Sequence, residues 1–213
     1  MNLDRVTVFG SPYSVYVRVV RLALLEKGVT YKLEPVDIFA EDGKSEEHLK
    51  RHPFGKIPAF SHNRLKVYET SAITRYIDEA FTGPALMPET PADRARANQI
   101  MSIIDNYGYR AMVWGVYVAL NESKNGVALG PNYSKSIKVS QTVVDQLEFF
   151  AKSKSQFLLG DEITMADLFV TPVLTYFMKT EAGRSMVEDT HKLKKCWDNL
   201  QARPGYEEIL STD

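Results

Sequence analysis

Cysteine is nearly absent from this chain of 213 residues, which contains one, Cys196. A single thiol cannot form a disulfide within the chain, and it cannot supply the Cys-x-x-Cys pair of a redox motif. An excess of positive charge is also lacking, because 26 Lys and Arg residues face 27 Asp and Glu residues. A general nucleic-acid-binding protein needs a cationic surplus to neutralise phosphates, so we expect no nucleic-acid partner.

Long hydrophobic runs are missing as well. The longest, such as Val116 to Leu120, are far shorter than the roughly 20 apolar residues that span a bilayer. The N-terminal residues enter a strand-like run without the apolar region of a signal peptide. The sequence therefore predicts a cytoplasmic protein with no membrane partner. Its 44% hydrophobic content is enough for a packed core.

Strand and helix patterns alternate over residues 1–82. Strands are predicted at 5–9, 31–36, 57–60 and 65–68, and helices at 13–27, within 40–51 and from about 70 on. This gives the order β-α-β-α-β-β-α. The glycine and prolines of residues 83–89 then read as a linker.

The strand signal disappears after the linker. Capping boxes begin helices at Thr90 and Thr164, each with an aspartate three residues on. Helices are predicted from 91 to about 120 with a bend at Gly108 or Gly115, and at 133–152, 164–174 and 193–200. Residues 90–213 are therefore predicted to form an all-α domain.

Pro58 is the oddity of the first domain, since a proline within a strand removes a hydrogen-bond donor and suggests an edge or a special turn. A cis bond before it would turn the N–H and C=O of Ile57 outward, where an extended ligand could pair with them. Glu69 and Thr70 follow at a helix start, a place that binds carboxylates. Together they predict a peptide-shaped ligand that carries a carboxylate.

Two segments resemble cytosolic glutathione transferases. Residues 53–59, Pro-Phe-Gly-Lys-Ile-Pro-Ala, resemble their N-P-F-G-x-[VI]-P-A segment, and residues 68–77 resemble their [FY]-E-S-x-A-I-x-x-Y-I segment. The departures are His52 in place of Asn and Thr70 in place of Ser. The resemblance implies the glutathione transferase fold, which is an α/β thioredoxin-like N-terminal domain followed by an all-α bundle. It also implies a homodimer that uses glutathione as co-substrate, with no other cofactor, and a small hydrophobic electrophile.

The turn Gly10-Ser11-Pro12-Tyr13-Ser14 offers three hydroxyls at a helix start, where a hydrogen bond and the helix dipole can stabilise a thiolate. Resemblance to the serine-type members of the family, whether phi, theta, zeta or bacterial, implies that Ser14 is the catalytic residue. Ser11 and Tyr13 remain alternative thiol contacts. Ser14 could also do no more than cap the helix.

The resemblance further implies which residues hold glutathione. Ile57 and Pro58 would face its cysteinyl backbone, while Glu69 and Thr70 would hold the γ-glutamyl end. The remaining candidates are Lys44 and Lys56 for the glycyl carboxylate, and Asp105, reaching across the dimer. The electrophile pocket is assigned to Tyr13, Tyr109 and Met112, whereas most other aromatic residues of the first long helix are expected to pack in the core.

His48 and His52 are four residues apart, but position 49 is leucine where a zinc protease would need glutamate after the first histidine. We therefore expect no metal site. The alternative function is a non-catalytic glutathione-binding or hydrophobic-ligand-binding protein of the same fold, because a fold does not determine a function.

Overall fold

The computed structural model describes residues 5–40 and 45–211, which form two compact units. The first unit contains the described residues up to Leu86 together with those from Pro204 on, and the second runs from Met87 to Arg203. The domain boundaries at 82 and 90 rest on sequence patterns and stay a prediction.

A four-stranded mixed sheet forms the centre of the first unit, with the strand order β2-β1-β3-β4. Its strands are β1 (Val6–Phe9), β2 (Lys32–Glu34), β3 (Ala59–His62) and β4 (Leu65–Tyr68). The parallel pair β1–β2 is joined through α1 (Val15–Glu26), as a parallel connection requires, and β3 pairs antiparallel with both β1 and β4. With α2 (Glu46–Leu49) and α3 (Thr70–Ala80) the predicted element order and the thioredoxin-like fold are confirmed.

Helix α1 is apolar on almost every side and packs against β1 and α3. A buried ion pair holds its C-terminal end. Lys27 Nζ lies 3.0 Å from Asp78 of α3 and donates to the Pro84 carbonyl at 2.9 Å, while Asp78 also accepts from the Leu86 N–H at 2.8 Å. Both charged groups therefore keep further hydrogen-bond partners, which offset the cost of burying them.

The C-terminal helix α10 (Tyr206–Leu210) packs against α1. The Tyr206 ring is completely buried, and its hydroxyl donates to Glu26 at 2.8 Å. No helix is predicted here, because five residues are too few to show a helical periodicity. Tertiary contact with α1 therefore determines this element.

The second unit is helical throughout its described residues. Its helices are α4 (Pro91–Ile103), α5 (Ala119–Lys124), α6 (Asn132–Phe150), α7 (Met165–Phe177), α8 (Glu181–Glu188) and α9 (Lys192–Gln201). This confirms the predicted all-α character, although α8 was not expected from the sequence. Nowhere in 5–40 and 45–211 is there a helix both long enough and apolar enough to cross a membrane.

A π-helical stretch, Ile104–Val118, joins α4 to α5 and is called here the π segment. Its winding is wider than that of an α-helix, so that the Ala119 N–H reaches back five residues to the Trp114 carbonyl. Both glycines at which a bend is predicted lie inside it. A Cβ on Gly115 would lie 2.0 Å from Ser136 Oγ of α6, so this glycine allows the two helices to approach closely.

Helix α7 is almost entirely buried and begins with the predicted capping box. The fully buried Asp167 carboxylate accepts hydrogen bonds from the Thr164 N–H at 2.8 Å, the Thr164 hydroxyl at 2.7 Å and the Leu158 N–H at 3.0 Å. The aspartate therefore joins the preceding loop to the start of the helix. This confirms its structural role as a cap.

Candidate functional site

The segment ahead of β3 carries a cis peptide bond between Ile57 and Pro58. Both residues are buried, and in the part of the chain that the structure describes the Ile57 backbone has no hydrogen-bond partner. The preceding Lys56 carbonyl accepts from the His48 ring at 2.9 Å. We call Lys56–Pro58 the docking edge. An Ile57 backbone without partners is what an extended ligand needs.

The turn from β1 to α1 adjoins the docking edge. A Cβ placed on Gly10 would lie 3.2 Å from the Ile57 side chain and 2.4 Å from that of Val17, so only glycine fits without a shift. Ser14, four residues further on, is the N-cap of the 12-residue α1, and its hydroxyl oxygen accepts from the Val17 N–H at 3.5 Å. The expected capping geometry is present.

The other two hydroxyls of this turn have different partners. The buried Ser11 hydroxyl donates to the Val36 carbonyl at 2.6 Å, and the Tyr13 hydroxyl donates to Asp37 at 3.0 Å. Burial, together with the Asp37 carboxylate and partly offset by Ser11, raises the pKa of Tyr13. Ser14, by contrast, accepts a hydrogen bond and gives its proton to no group in the described ranges, so that proton can face a ligand.

Glu69 and Thr70 lie at the start of the 11-residue α3. Glu69 has a φ of 71° and a ψ of 121°, a backbone conformation that costs a residue with a side chain about 1–3 kcal/mol and is concentrated at functional sites. Its exposed side chain makes no capping hydrogen bond to α3. The first N–H groups of the helix are therefore not capped by it, and they can receive a carboxylate.

Of the two lysines assigned to the glycyl carboxylate, only Lys56 lies within the described residues. Lys56 is the first residue of the docking edge. Its side chain is exposed, so its charge can meet a carboxylate. Lys44 lies outside the described residues, so its assignment stays a prediction.

Three further candidates lie on the π segment of the second unit. Asp105 is exposed, and Tyr109 is half-buried. Burial raises the pKa of Tyr109, against the opposing effect of a hydrogen bond with Trp114. Met112 is completely buried, so in this conformation it offers no surface to an electrophile, and its assignment to the pocket finds no support.

A cleft of 580 Å³ between the π segment and α6 was not found from the sequence. Tyr107, with 58% of its surface exposed, and Trp114, with 43%, line this cleft together with Arg110 and Lys135. The expectation of core packing is therefore wrong for these two aromatic residues. The sequence offered no signal for this cleft, because apolar residues seven positions apart are equally typical of a helix face that packs in the core.

The lone thiol lies apart from these residues, in α9. Cys196 is buried, and burial, reinforced by the charges of Asp167 and Glu148, raises its pKa to about 12. A thiol that stays protonated is a poor nucleophile. Over the residues that the structure describes, no three His, Cys, Asp or Glu side chains are grouped to hold a metal ion.

Comparison with known proteins finds one family model for the N-terminal part of the chain and another for the C-terminal part. The family model for the glutathione S-transferase N-terminal domain matches residues 4–79, and a model for the C-terminal domain of that family matches residues 128–212. A probable glutathione S-transferase of Oryza sativa subsp. japonica is 32% identical to this chain, with 97% of this chain and 95% of that protein covered. Glutathione S-transferase F11 of Arabidopsis thaliana is 28% identical, with coverages of 96% and 97%.

Solved structures give the same result. Glutathione transferase F7 from Populus trichocarpa superposes with a TM-score of 0.83 at 28% identity, covering 97% of this chain and 98% of that one. Glutathione transferase F2 from the same tree gives a TM-score of 0.84 at 27% identity, with 97% of each chain covered. All four of these relatives carry the name glutathione transferase or glutathione S-transferase.

Proposed function

The chain belongs to the glutathione S-transferase family, and on that premise we propose that it activates glutathione through Ser14 for attack on a small hydrophobic electrophile. The observation that carries this proposal is the partition of hydroxyls in the Gly10–Ser14 turn. Ser11 and Tyr13 donate to a carbonyl and a carboxylate, whereas Ser14 accepts from the helix and retains its proton for a ligand.

The chemistry follows from that hydrogen bond. A free thiol has a pKa of roughly 8.5, so only a few per cent is thiolate at neutral pH. Each unit by which a hydroxyl donor and the α1 dipole lower this pKa corresponds to about 1.4 kcal/mol of thiolate stabilisation. The thiolate then forms a bond to carbon of the electrophile, by addition or by displacement of a leaving group, and no further cofactor takes part.

Glutathione would lie along the docking edge. The Ile57 backbone would pair with the cysteinyl residue beside Pro58, and the Glu69 carboxylate would pair with the γ-glutamyl ammonium. The Thr70 hydroxyl and the first N–H groups of α3 would hold the α-carboxylate. Lys56 and Lys44 would attract the glycyl carboxylate.

We further propose a cytoplasmic homodimer in which Asp105 of one copy approaches the glutathione of the other. Tyr13 and Tyr109 would border the electrophile. The exposed ring of Phe54, with 70% of its surface accessible beside the docking edge, supports contact with a second copy. Light scattering at micromolar concentration should give the mass of two chains, and a mass of one chain would contradict the dimer.

Ser14→Ala tests the catalytic assignment. We expect the ultraviolet thiolate band of bound glutathione at pH 7 to disappear, and turnover of a halonitrobenzene to fall by about tenfold to a hundredfold, as loss of a charge-assisted hydrogen bond predicts. Glutathione should still bind. Tyr13→Phe is the matched control, because it removes a hydroxyl from the same turn and should keep the band. A thiolate band that survives in Ser14→Ala would refute the assignment.

A further inference from the structure

Two histidines are buried next to the docking edge. His48 is 1% exposed and His52 is 2% exposed. His48 lies in α2, and its Nε2 is 2.9 Å from the Lys56 carbonyl. Since a carbonyl can only accept, Nε2 carries the proton, and the neutral ring has none on Nδ1. His48 therefore ties α2 to the residue that precedes Ile57.

The His52 ring lies among other rings. The centroid of Tyr68 is 4.9 Å away, that of Phe54 is 6.2 Å away and that of His48 is 6.5 Å away. The Nδ1 atoms of both histidines are buried and lack a hydrogen-bond partner among the described residues. A proton added to the His52 ring would place a charge and an unsatisfied donor inside this cluster, which is costly.

The titratable groups that act on His52 come from α2, from the docking edge and from the start of α3. Burial lowers its pKa, and the neighbouring His48 of α2 and Lys56 of the docking edge act in the same direction. The Glu69 carboxylate at the start of α3 acts in the opposite direction, because a negative charge favours the protonated ring. From β4, Tyr68 contributes its ring contact. Glu69 is thus the group that would hold a proton on His52.

Glu69 has two cationic candidates for its carboxylate. One is the ammonium group of glutathione. That pairing is part of the proposed function, and the inference made here rests on it. The other is a protonated His52. We propose that His48 and His52 are positioning residues of the glutathione site, and that a proton on His52 and glutathione at Glu69 bind antagonistically. Protonation gives Glu69 a competing cation and disturbs the ring cluster behind the docking edge.

The sign of the pH dependence follows. In the folded protein His52 stays neutral to a lower pH than an ordinary histidine, whose pKa is about 6.5. The effect of His52 on glutathione affinity should therefore be absent at neutral pH and should weaken binding as the pH decreases through the folded pKa of His52. The thiol of glutathione would itself titrate near neutral pH once the site lowers its pKa, so S-methylglutathione, which keeps the ammonium and both carboxylates but has no thiol proton, is the probe for this window. Its carboxylates titrate below about pH 4.5, which leaves the window to histidine.

Calorimetric titration of S-methylglutathione tests the antagonism. Between pH 7 and the pH at which the ring signal of His52 is that of the protonated form, we expect the Kd of the natural protein to rise by about threefold or more, and the Kd of His52→Asn to stay within about 1.5-fold. Asparagine keeps a polar side chain that does not titrate. His191→Asn, which alters an exposed histidine of the second unit, is the control and should keep the full pH dependence.

The position of the docking edge is tested through His48. His48→Leu removes the donor to Lys56 and should raise the KM for glutathione about fivefold, with kcat at saturating glutathione little changed. His48→Gln offers an amide N–H to the same carbonyl and should recover most of that loss. If both variants behave alike, His48 has only a packing role, and its assignment as a positioning residue fails.

Proton resonances provide a readout that does not depend on turnover. The chain has only four histidines, so each ring signal can be assigned by substitution. Saturating glutathione should lower the pKa of His52, since coupling between two ligands is reciprocal, and leave that of His191 unchanged. This measurement also covers the case in which a variant fails to fold.

The outcomes separate the two proposals. If glutathione binds at pH 7 but the affinity for S-methylglutathione is flat with pH, or if His52→Asn keeps that pH dependence, the antagonism is refuted and the proposed function stands. If glutathione does not bind at pH 7 at all, the proposed function fails and this inference fails with it.

Discussion

The two units of the molecule use their backbones differently. The first unit contains the cis peptide bond before Pro58 and two non-glycine residues with positive φ, Asn63 at 55° and Glu69 at 71°. In the second unit, none of the described residues other than glycine has a positive φ. Because a strained backbone must be maintained by its surroundings, the positive φ of Glu69 supports the proposal that the ligand binds on the first unit.

Buried acids and bases show the same contrast. In the second unit the Asp167 carboxylate accepts three hydrogen bonds inside the core. In the first unit His48 and His52 are as deeply buried, yet each has a ring nitrogen without a partner in the described part of the chain. A satisfied polar group stabilises a fold, whereas an unsatisfied one beside a binding site can respond to a ligand or a proton.

The largest expected effect belongs to Asp167→Ala in the second unit. The substitution leaves two N–H groups and a hydroxyl unpaired at the buried start of α7, so the free energy of unfolding should fall by about 3 kcal/mol. Urea unfolding followed by circular dichroism measures this change. The Kd for glutathione of the molecules that remain folded should change little, because most of the proposed contacts, those of Ile57, Glu69 and Thr70, lie on the first unit.

The matched control is Asp93→Ala in the other capping box. Asp93 accepts a hydrogen bond from the Thr90 hydroxyl at 2.8 Å, but it lies at the surface. The decrease in the free energy of unfolding should be much smaller for Asp93→Ala than for Asp167→Ala. Equal losses in the two variants would show that burial does not distinguish the caps, and a weaker affinity in Asp167→Ala would show that the units are coupled.

A smaller effect is expected at Glu69, where a substitution should weaken ligand binding rather than unfold the protein. Glu69→Gln removes the charge that would pair with the glutathione ammonium and should weaken binding by about tenfold, or about 1.4 kcal/mol. Glu69→Gly loses the same charge but also relieves the strained backbone, so it should bind equally weakly and be about 1 kcal/mol more stable than Glu69→Gln. Calorimetry and thermal unfolding measure the two quantities.

If Glu69→Gly is less stable than Glu69→Gln, the backbone of Glu69 is not strained, and the contrast between the units loses its main support. If both variants bind glutathione as well as the natural protein, Glu69 does not contact the ligand. The second result would move the γ-glutamyl end of the ligand away from the start of α3.

Much of the fold was predictable because its signals are local. The glycine after β1 and the capping box at Thr164 each constrain a few successive residues, and the structure has the corresponding elements. The strand predicted at 57–60 is present but begins at Ala59, so Pro58 lies just ahead of it. Helix α10 was not predictable, since it packs against α1 and Tyr206 donates to Glu26, 180 residues away in the sequence. The exposed face of Tyr107 and Trp114 was missed because composition cannot distinguish an aromatic core from an aromatic cleft.

The features of the candidate site also divide into those set by local sequence and those set by tertiary contacts. The sequence by itself determined the family, the docking edge and the acid–hydroxyl pair at Glu69, because these depend on residue types at short, regular spacings. Only the tertiary structure decided which hydroxyl of the Gly10–Ser14 turn keeps its proton, that Met112 is buried, and that His48 and His52 lie behind the docking edge. Hydrogen-bond partners, burial and local charge come from residues far apart in the chain, and these determine what a side chain can do.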